Sequence, residues 1–282
     1  MVFALVALIV LVGAILLWRR WAAAERATNE RKPELAGRIG QLRERQEGAA
    51  EPALMLVSVD QPRFSKLGGH PDLPAGTVHP PGVRGKRAFL GQVDLAEVRA
   101  AGGAEWLPDV GRIYAFYDSE RHGFADVVTV LYSVQAPGAP VAAGRSAFDE
   151  RPVGFQAHHS LPSIDWMGVD YRGFGGWIED LLTPEPEGPA HRVGGYPDEI
   201  QGERFPLICE HMVRGLPDPD GDEDVPQDIE DALDDWRLLL QVDSDPSLGM
   251  NFGDGGRLYA FIRRGDARRG EFGATVGAWS TY

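Results

Sequence analysis

The chain has 282 residues, of which 43% are apolar and 9% aromatic. This composition excludes a disordered or low-complexity chain and predicts a globular domain with a substantial core. The formal net charge is −14. We therefore exclude nucleic acid as a partner, because phosphate binding requires clustered Lys and Arg. The single cysteine, Cys209, permits no internal disulfide.

The N-terminal segment Met1–Trp18 has no charged side chain and is followed by Arg19 and Arg20. A helix of that length spans about 27 Å, close to a hydrocarbon core of about 30 Å, so we predict a transmembrane anchor over residues 1–21. Basic residues follow the span and none precedes it. This predicts a single-pass cell-membrane protein with its N-terminus outside and its main domain cytoplasmic. A cleaved secretory signal is the alternative, because residues 22–24 are alanines that resemble a cleavage region.

Residues 22–50 are rich in Ala, Glu, Arg and Gln, which predicts a helical stalk or linker. Leu35, Ile39 and Leu42 fall on one helical face, and we expect that stripe to pack on the main domain. The main domain itself is predicted over residues 51–282.

Three sequence blocks occur twice in this domain, in the same order. They are LGGHPD at 67–72 and VGGYPD at 193–198, QVD at 92–94 and 241–243, and GRIYAF at 111–116 and GRLYAF at 256–261. Shared order indicates an internal duplication, with repeats at about 51–190 and 191–282. The second copy carries an insertion between its first two blocks, and this insertion contains the acidic run Asp218–Asp235.

The acidic run resembles a calcium-binding loop at its start and departs from one further along. The sixth position of such a loop is Glu223 instead of glycine, and the twelfth is Ile229 instead of glutamate. We therefore predict a solvated acidic loop and no metal site.

The repeated blocks predict turns and strands. Glycine and proline in GGHPD and GGYPD indicate turns. A strand period of two places Leu90, Gln92 and Asp94 on one face, and Leu239, Gln241 and Asp243 on the matching face of the second copy. IYAF and LYAF are apolar on both faces and predict central, buried strands. These strands are predicted to form the cores of two halves of one domain.

These blocks resemble the YwqG-like family (DUF1963), a bacterial domain of unknown function. SKLGGHPDLP, AFLGQVDLAEV, LPDVGRIYAFYD, HRVGGYPDEIQ and LLLQVDSD carry the resemblance, which runs from about Glu51 to the C-terminus. One departure is His79, where the family usually has an aromatic residue before the proline. The resemblance implies an α+β fold with duplicated sheet halves and no established enzymatic activity. Toxin and immunity gene neighbourhoods of some members imply protein binding.

The candidate binding residues are polar side chains in or beside the repeated blocks: Gln92, Asp94, His191, Tyr196, Gln201, Gln241, Asp243 and Asp245. No nucleophile elbow, phosphate-binding loop or metalloprotease motif occurs, so we predict no catalytic residue and no cofactor. For the two glutamines, the alternative is structural: each hydrogen-bonds the backbone of a GGxPD turn.

Two functional hypotheses follow. The first is a membrane-anchored, non-catalytic binding or immunity-like module that recognises a protein partner. The second is a hydrolase or small-ligand enzyme that uses Asp94, Asp243, Asp245 or His191 in a cleft between the repeats.

Overall fold

The chain divides into two compact units, Met1–Gly48 and Ala49–Tyr282. A computed structural model describes residues 36–140, 146–164, 166–169, 182, 188–219 and 225–282. In the first unit, residues 36–48 form helix α1. Residues 22–35 of the predicted stalk, including Leu35, lie outside the described residues, as do residues 220–224 of the acidic run.

The second unit is built from short strands and a few short helices. The strands are β1 Glu51–Ser58, β2 Lys66–Leu67, β3 Ala88–Asp94, β4 Arg112–Tyr117, β5 Phe124–Ala125, β6 Val128–Ser133, β7 Arg151–Ser160, β8 Arg192–Gly194, β9 Trp236–Asp243, β10 Arg257–Arg263 and β11 Val276–Ser280. The helices are α2 Leu95–Ala100, α3 Phe205–Arg214, α4 Gln227–Leu233 and α5 Arg264–Arg269, with 3₁₀ turns at Pro246–Leu248 and Phe272–Ala274.

Local sequence explains where two of these helices begin and end. Asp94 caps α2, because its side chain accepts a hydrogen bond from the Ala96 N–H. In α3, Pro206 lies in the first turn, where its missing N–H costs nothing. Gly215 ends α3 in the left-handed conformation, with φ 67°, which a glycine adopts without strain.

The described strands form one continuous 11-stranded sheet, in the order β5-β11-β10-β9-β8-β1-β7-β2-β3-β4-β6. Every pairing in it is antiparallel. The edge strands β5 and β6 follow one another in the chain, so the sheet nearly closes on itself. The predicted α+β class with duplicated sheet halves is therefore wrong. The domain is mostly sheet, and both halves belong to the same sheet.

The predicted transmembrane anchor over residues 1–21 lies outside the described residues. Among the helices that the structure describes, none is long and apolar enough to cross a membrane. On this finding we withdraw the predicted transmembrane helix from the fold, together with the single-pass membrane localisation and its orientation.

Two strands outside the repeated blocks, β1 and β7, join the halves into one sheet. β1 precedes β2 in the chain but pairs with β8, and β7 precedes β8 but pairs with β2. The Leu56 N–H donates to the His191 carbonyl at 2.9 Å, and the Val153 N–H donates to the Ser65 carbonyl at 3.0 Å. His191 and Ser65 precede β8 and β2 at equivalent positions. β1 therefore extends the strands of the second copy, β7 extends those of the first copy, and β1 and β7 pair with each other.

A β-bulge occurs at the same place in both halves. The pairing of β3 with β4 shifts register at Leu90, and the pairing of β9 with β10 shifts at Leu239. A bulge interrupts the alternation of faces. Leu90 therefore packs in the central core with Val93, away from Gln92. The prediction that the leucine shares a face with the following glutamine is wrong in both copies for this reason.

The repeated hexapeptides form buried central strands, as predicted. Tyr114 and Phe116 on β4 are fully buried, as are Tyr259 and Phe261 on β10. These rings lie on the sheet face opposite the central core, because Ile113 and its alternate neighbours occupy that core. They form two outer clusters. The first consists of Leu73, Phe89, Tyr114 and Phe116, and the second is centred on Phe205, Trp236, Tyr259 and Phe261.

Candidate functional site

A buried glutamine holds the GGxPD turn of the second half. Gln241 is fully buried, and its Oε1 accepts a hydrogen bond from the Asp198 N–H at 2.9 Å. Its Nε2 donates to the Asp198 carboxylate at 2.9 Å and to the Ala190 carbonyl at 3.1 Å. The Tyr259 hydroxyl donates to the Asp198 carbonyl at 2.7 Å. These hydrogen bonds join the glutamine, the turn and the strand of the repeated hexapeptide.

The first half repeats this network residue by residue. Gln92 Oε1 accepts from the Asp72 N–H at 2.9 Å, and Nε2 donates to the Asp72 carboxylate at 2.6 Å and to the Phe64 carbonyl at 2.8 Å. The Tyr114 hydroxyl donates to the Asp72 carbonyl at 3.2 Å. The prediction that each glutamine hydrogen-bonds a GGxPD turn is confirmed, and the turn is that of its own half.

The carboxylates after the glutamines form buried or half-buried ion pairs. Asp94 lies 3.2 Å from Arg112, and Asp243 lies 3.4 Å from Arg257. Asp243 also accepts a hydrogen bond from the Ala190 N–H at 2.8 Å. These bonds to neighbouring backbone and guanidinium groups indicate a structural role for both carboxylates.

Arg192 pairs with Asp198 across the turn of the second half. Burial lowers the pKa of Arg192 to about 10, and the negative charge of Asp243 opposes that shift. The guanidinium therefore remains charged at neutral pH. In the first half, Lys66 takes the equivalent place and lies 3.5 Å from Asp72.

His191 and Asp245 meet beside this network. His191 Nδ1 accepts the Asp243 N–H at 3.1 Å, and Nε2 lies 3.5 Å from the Asp245 carboxylate. Burial lowers the pKa of His191, and the two carboxylates oppose this shift. Burial would raise the pKa of Asp245, but hydrogen bonds from the Ser247 hydroxyl and N–H outweigh burial and lower it. The structure thus gathers four predicted residues, His191, Gln241, Asp243 and Asp245.

Tyr196 and Gln201 do not belong to this group. The Tyr196 hydroxyl donates to the Ala49 carbonyl at 2.8 Å, and burial raises its pKa to about 12. Gln201 is exposed, and its Nε2 donates to the Thr281 carbonyl at 2.6 Å.

The space between the halves is a packed core. Leu54, Leu90, Val193, Leu239 and Leu258 are among the side chains that fill it. In the sheet, four strands separate β3 from β9, so the two glutamine networks lie on different sectors. The described residues therefore form no open polar cleft that joins Asp94 to Asp243. Nor do they form a group of three or more His, Cys, Asp or Glu side chains that could hold a metal ion.

A cavity of about 650 Å³ opens on the first half instead. Its apolar wall includes Leu73, Phe89 and Tyr117, and its polar wall includes His79 and Lys86. Two exposed valines flank the cavity on its loop, Val78 at 79% exposure and Val83 at 57%. The sequence prediction did not include the cavity.

Most charges around the cavity are paired. Arg84 lies 3.6 Å from Glu120, and buried Arg87 lies 2.9 Å from Asp126. Burial would raise the pKa of Asp118, but backbone hydrogen bonds and the charges of two arginines outweigh it and lower that pKa.

Lys86 differs from the arginines of the cavity wall. Its side chain is exposed, and within the described part of the chain no carboxylate forms an ion pair with it. The ammonium is therefore available to a ligand.

His79 occupies the place that Phe205 has in the second half. Each lies seven positions after the aspartate of its turn and immediately before a proline. The His79 ring centroid is 4.8 Å from that of Phe116, and the Phe205 ring centroid is 4.8 Å from that of Phe261. Burial lowers the pKa of His79, and the positive charge of Lys86 lowers it further. The presence of His79 where the second copy has Phe205 was one sequence signal for this cavity.

The fold and these sites define a mostly antiparallel β domain that is built from two copies of a glutamine-held turn, with a cavity on its first half. The chain belongs to the family described as Domain of unknown function (DUF1963), whose model matches residues 65–280. The family resemblance seen in the repeated blocks is confirmed. No match was found among curated proteins.

Proposed function

We propose that the domain is a non-catalytic binding or immunity-like module that recognises a protein partner at the cavity of its first half. The observation that carries the proposal is that a helix covers the outer cluster of the second half, whereas no helix covers that of the first half in the equivalent loop. In the second half, Phe205 on α3 stacks on Phe261. In the first half, the equivalent loop has no helix and borders the cavity instead.

The rim of the cavity supports recognition of a macromolecule. Val78 and Val83 are exposed on the loop from which Thr77, His79 and Arg84 line the cavity. Exposed apolar side chains beside a polar-bordered cavity are consistent with an interaction site. Val110 is similarly exposed, but neither it nor its neighbours in the chain line this cavity.

The internal bonding of the predicted acid–base residues favours binding over hydrolysis. A general acid or base must reach its substrate. Asp243 and His191 are buried, and their hydrogen-bonding atoms face neighbouring chain segments. Asp94 caps α2 and pairs with Arg112.

Site-specific photo-crosslinking tests the proposal. A photoactivatable residue is placed at Val83 on the rim or, as a control, at Val110, which has a similar exposure of 61%. We expect a defined adduct from position 83 alone, and the identified partner should form a stoichiometric complex when both proteins are purified. Equal adducts at both positions, or no complex between the purified proteins, would count against the proposal.

A further inference from the structure

We infer that the partner inserts a segment into the cavity that carries a carboxylate beside an apolar side chain. The carboxylate binds the Lys86 ammonium, and the apolar side chain lies against Leu73 and Phe89. This inference rests on the proposed function, because it specifies the chemistry of the partner at the same cavity.

The distribution of charge favours a carboxylate. Arg84 and Arg87 are paired with acidic side chains, whereas Lys86 has no carboxylate partner among the described residues. One uncompensated ammonium matches one negative charge. A phosphate would bring about two negative charges close to Asp118 and Glu120, which also line the cavity, and like charges repel.

The second half indicates why an apolar side chain should accompany the carboxylate. There the phenyl ring of Phe205 contacts both Tyr259 and Phe261, with ring centroids at 4.8 Å from each. In the first half His79 supplies a smaller ring at the corresponding position. Leu73 and Phe89 border an open volume that no helix between β2 and β3 covers.

The size of the cavity suits a short segment. Ligand sites in proteins range over about 300 to 1,000 Å³, and a volume of about 650 Å³ lies within this range. A few side chains of a partner fit such a space, while the rest of the partner can contact Val78 and Val83 on the rim.

Two capped dipeptides that differ only in charge test the inference. Acetyl-Phe-Glu-amide and acetyl-Phe-Gln-amide are titrated into the full-length chain, and binding is followed by amide chemical-shift changes in NMR spectra. We expect the Glu peptide to bind about twofold to fivefold more tightly, which is the contribution of an ion pair to an exposed ammonium. Added salt should reduce this difference.

Charge-matched variants locate the effect. Lys86→Gln should abolish the preference for the Glu peptide. Arg268→Gln removes the same charge from an exposed position on α5 and should leave the preference intact. Equal binding of the two peptides, or a preference that survives Lys86→Gln, would overturn the inference.

A third probe separates a polypeptide segment from a free acid. If 3-phenylpropionate binds in a Lys86-dependent manner and neither peptide binds, the occupant is a small organic acid and the inference is wrong. If Val83 forms an adduct but the peptides show no binding that depends on Lys86, this inference is wrong and the proposed function stands. If Val83 forms no adduct either, the proposed function is wrong as well.

Discussion

Replacement of Gln241 by leucine tests whether the repeated glutamine holds the fold together. Leucine has a similar size but cannot replace the hydrogen bonds to Asp198 and Ala190. The substitution leaves at least one buried N–H and one buried carbonyl without this partner. At about 1 to 3 kcal/mol for each group, we expect a loss of roughly 2 to 6 kcal/mol in the free energy of unfolding.

Gln92→Leu provides the matched substitution in the first half. It removes the same kinds of bonds, to Asp72 and Phe64, so its cost should fall in the same range. Gln241 makes one additional bond, from Nε2 to the Asp243 carboxylate at 3.0 Å. We therefore expect Gln241→Leu to be the more destabilising of the two.

Urea unfolding followed by tryptophan fluorescence measures both costs. Trp236 is fully buried in the second outer cluster and reports on loss of packing. Gln156→Leu, at an exposed position on β7, is the control and should change stability by no more than about 0.5 kcal/mol. If either core glutamine variant behaved like this control, the network would not have the structural role that its hydrogen bonds indicate.

Three further predictions test the repeated strand, the turn and the cavity. Phe116→Ala and Phe261→Ala should each cost about 3 to 5 kcal/mol in denaturant unfolding. Gly68→Ala should be much more destabilising than Gly194→Ala: both have positive φ, but the added methyl would lie 2.0 Å from a backbone oxygen in the first case and 3.4 Å in the second. Equal melting temperatures would contradict this. Burial lowers the pKa of His79 below 6.5, so the unfolded state binds its proton first. His79 therefore contributes a loss of stability as pH falls below 6.5, and His79→Phe should reduce the acid sensitivity of the melting temperature.

The repeated blocks allowed part of the structure to be predicted. Tyr114 and Phe116 are apolar residues in a short segment that recurs with Tyr259 and Phe261, and local pattern alone indicates buried strands. An amide flanked by apolar residues must find hydrogen-bond partners, and a repeated turn offers backbone groups in both copies. The sequence therefore predicted that each glutamine contacts a turn, but not to which half that turn belongs.

The pairing of β1 and β7 was not predictable, because it depends on contacts between distant segments without a repeated motif. β1 and β7 share no block, yet β1 pairs with β8, β7 pairs with β2, and β1 and β7 pair with each other, which makes one sheet. The bulges at Leu90 and Leu239 were missed for a related reason. A period-two pattern assumes an uninterrupted ladder, and only the partner strand reveals the additional residue.

Lys86 was missed because it stands out only by having no carboxylate partner among the described residues, which the sequence does not reveal. An exposed lysine in a loop is ordinary in sequence, and it becomes a candidate ligand-binding residue only when the adjacent arginines have acidic partners. The sequence did contain an indirect signal. The first copy has no insertion between its first two blocks, and it has His79 where the second copy has Phe205.

The duplication separates stability from recognition. Gln92 and Gln241 satisfy buried groups in each half, so a change in either destabilises the fold that both halves share. The loop after each turn is less constrained, because one copy accommodates α3 and α4 while the other forms a cavity. A substitution at Lys86 should therefore alter binding and leave the unfolding free energy unchanged, because its side chain is exposed. A substitution at Gln92 should weaken binding and also lower the unfolding free energy. The turn that Gln92 holds includes His70 and Pro71, which line the cavity.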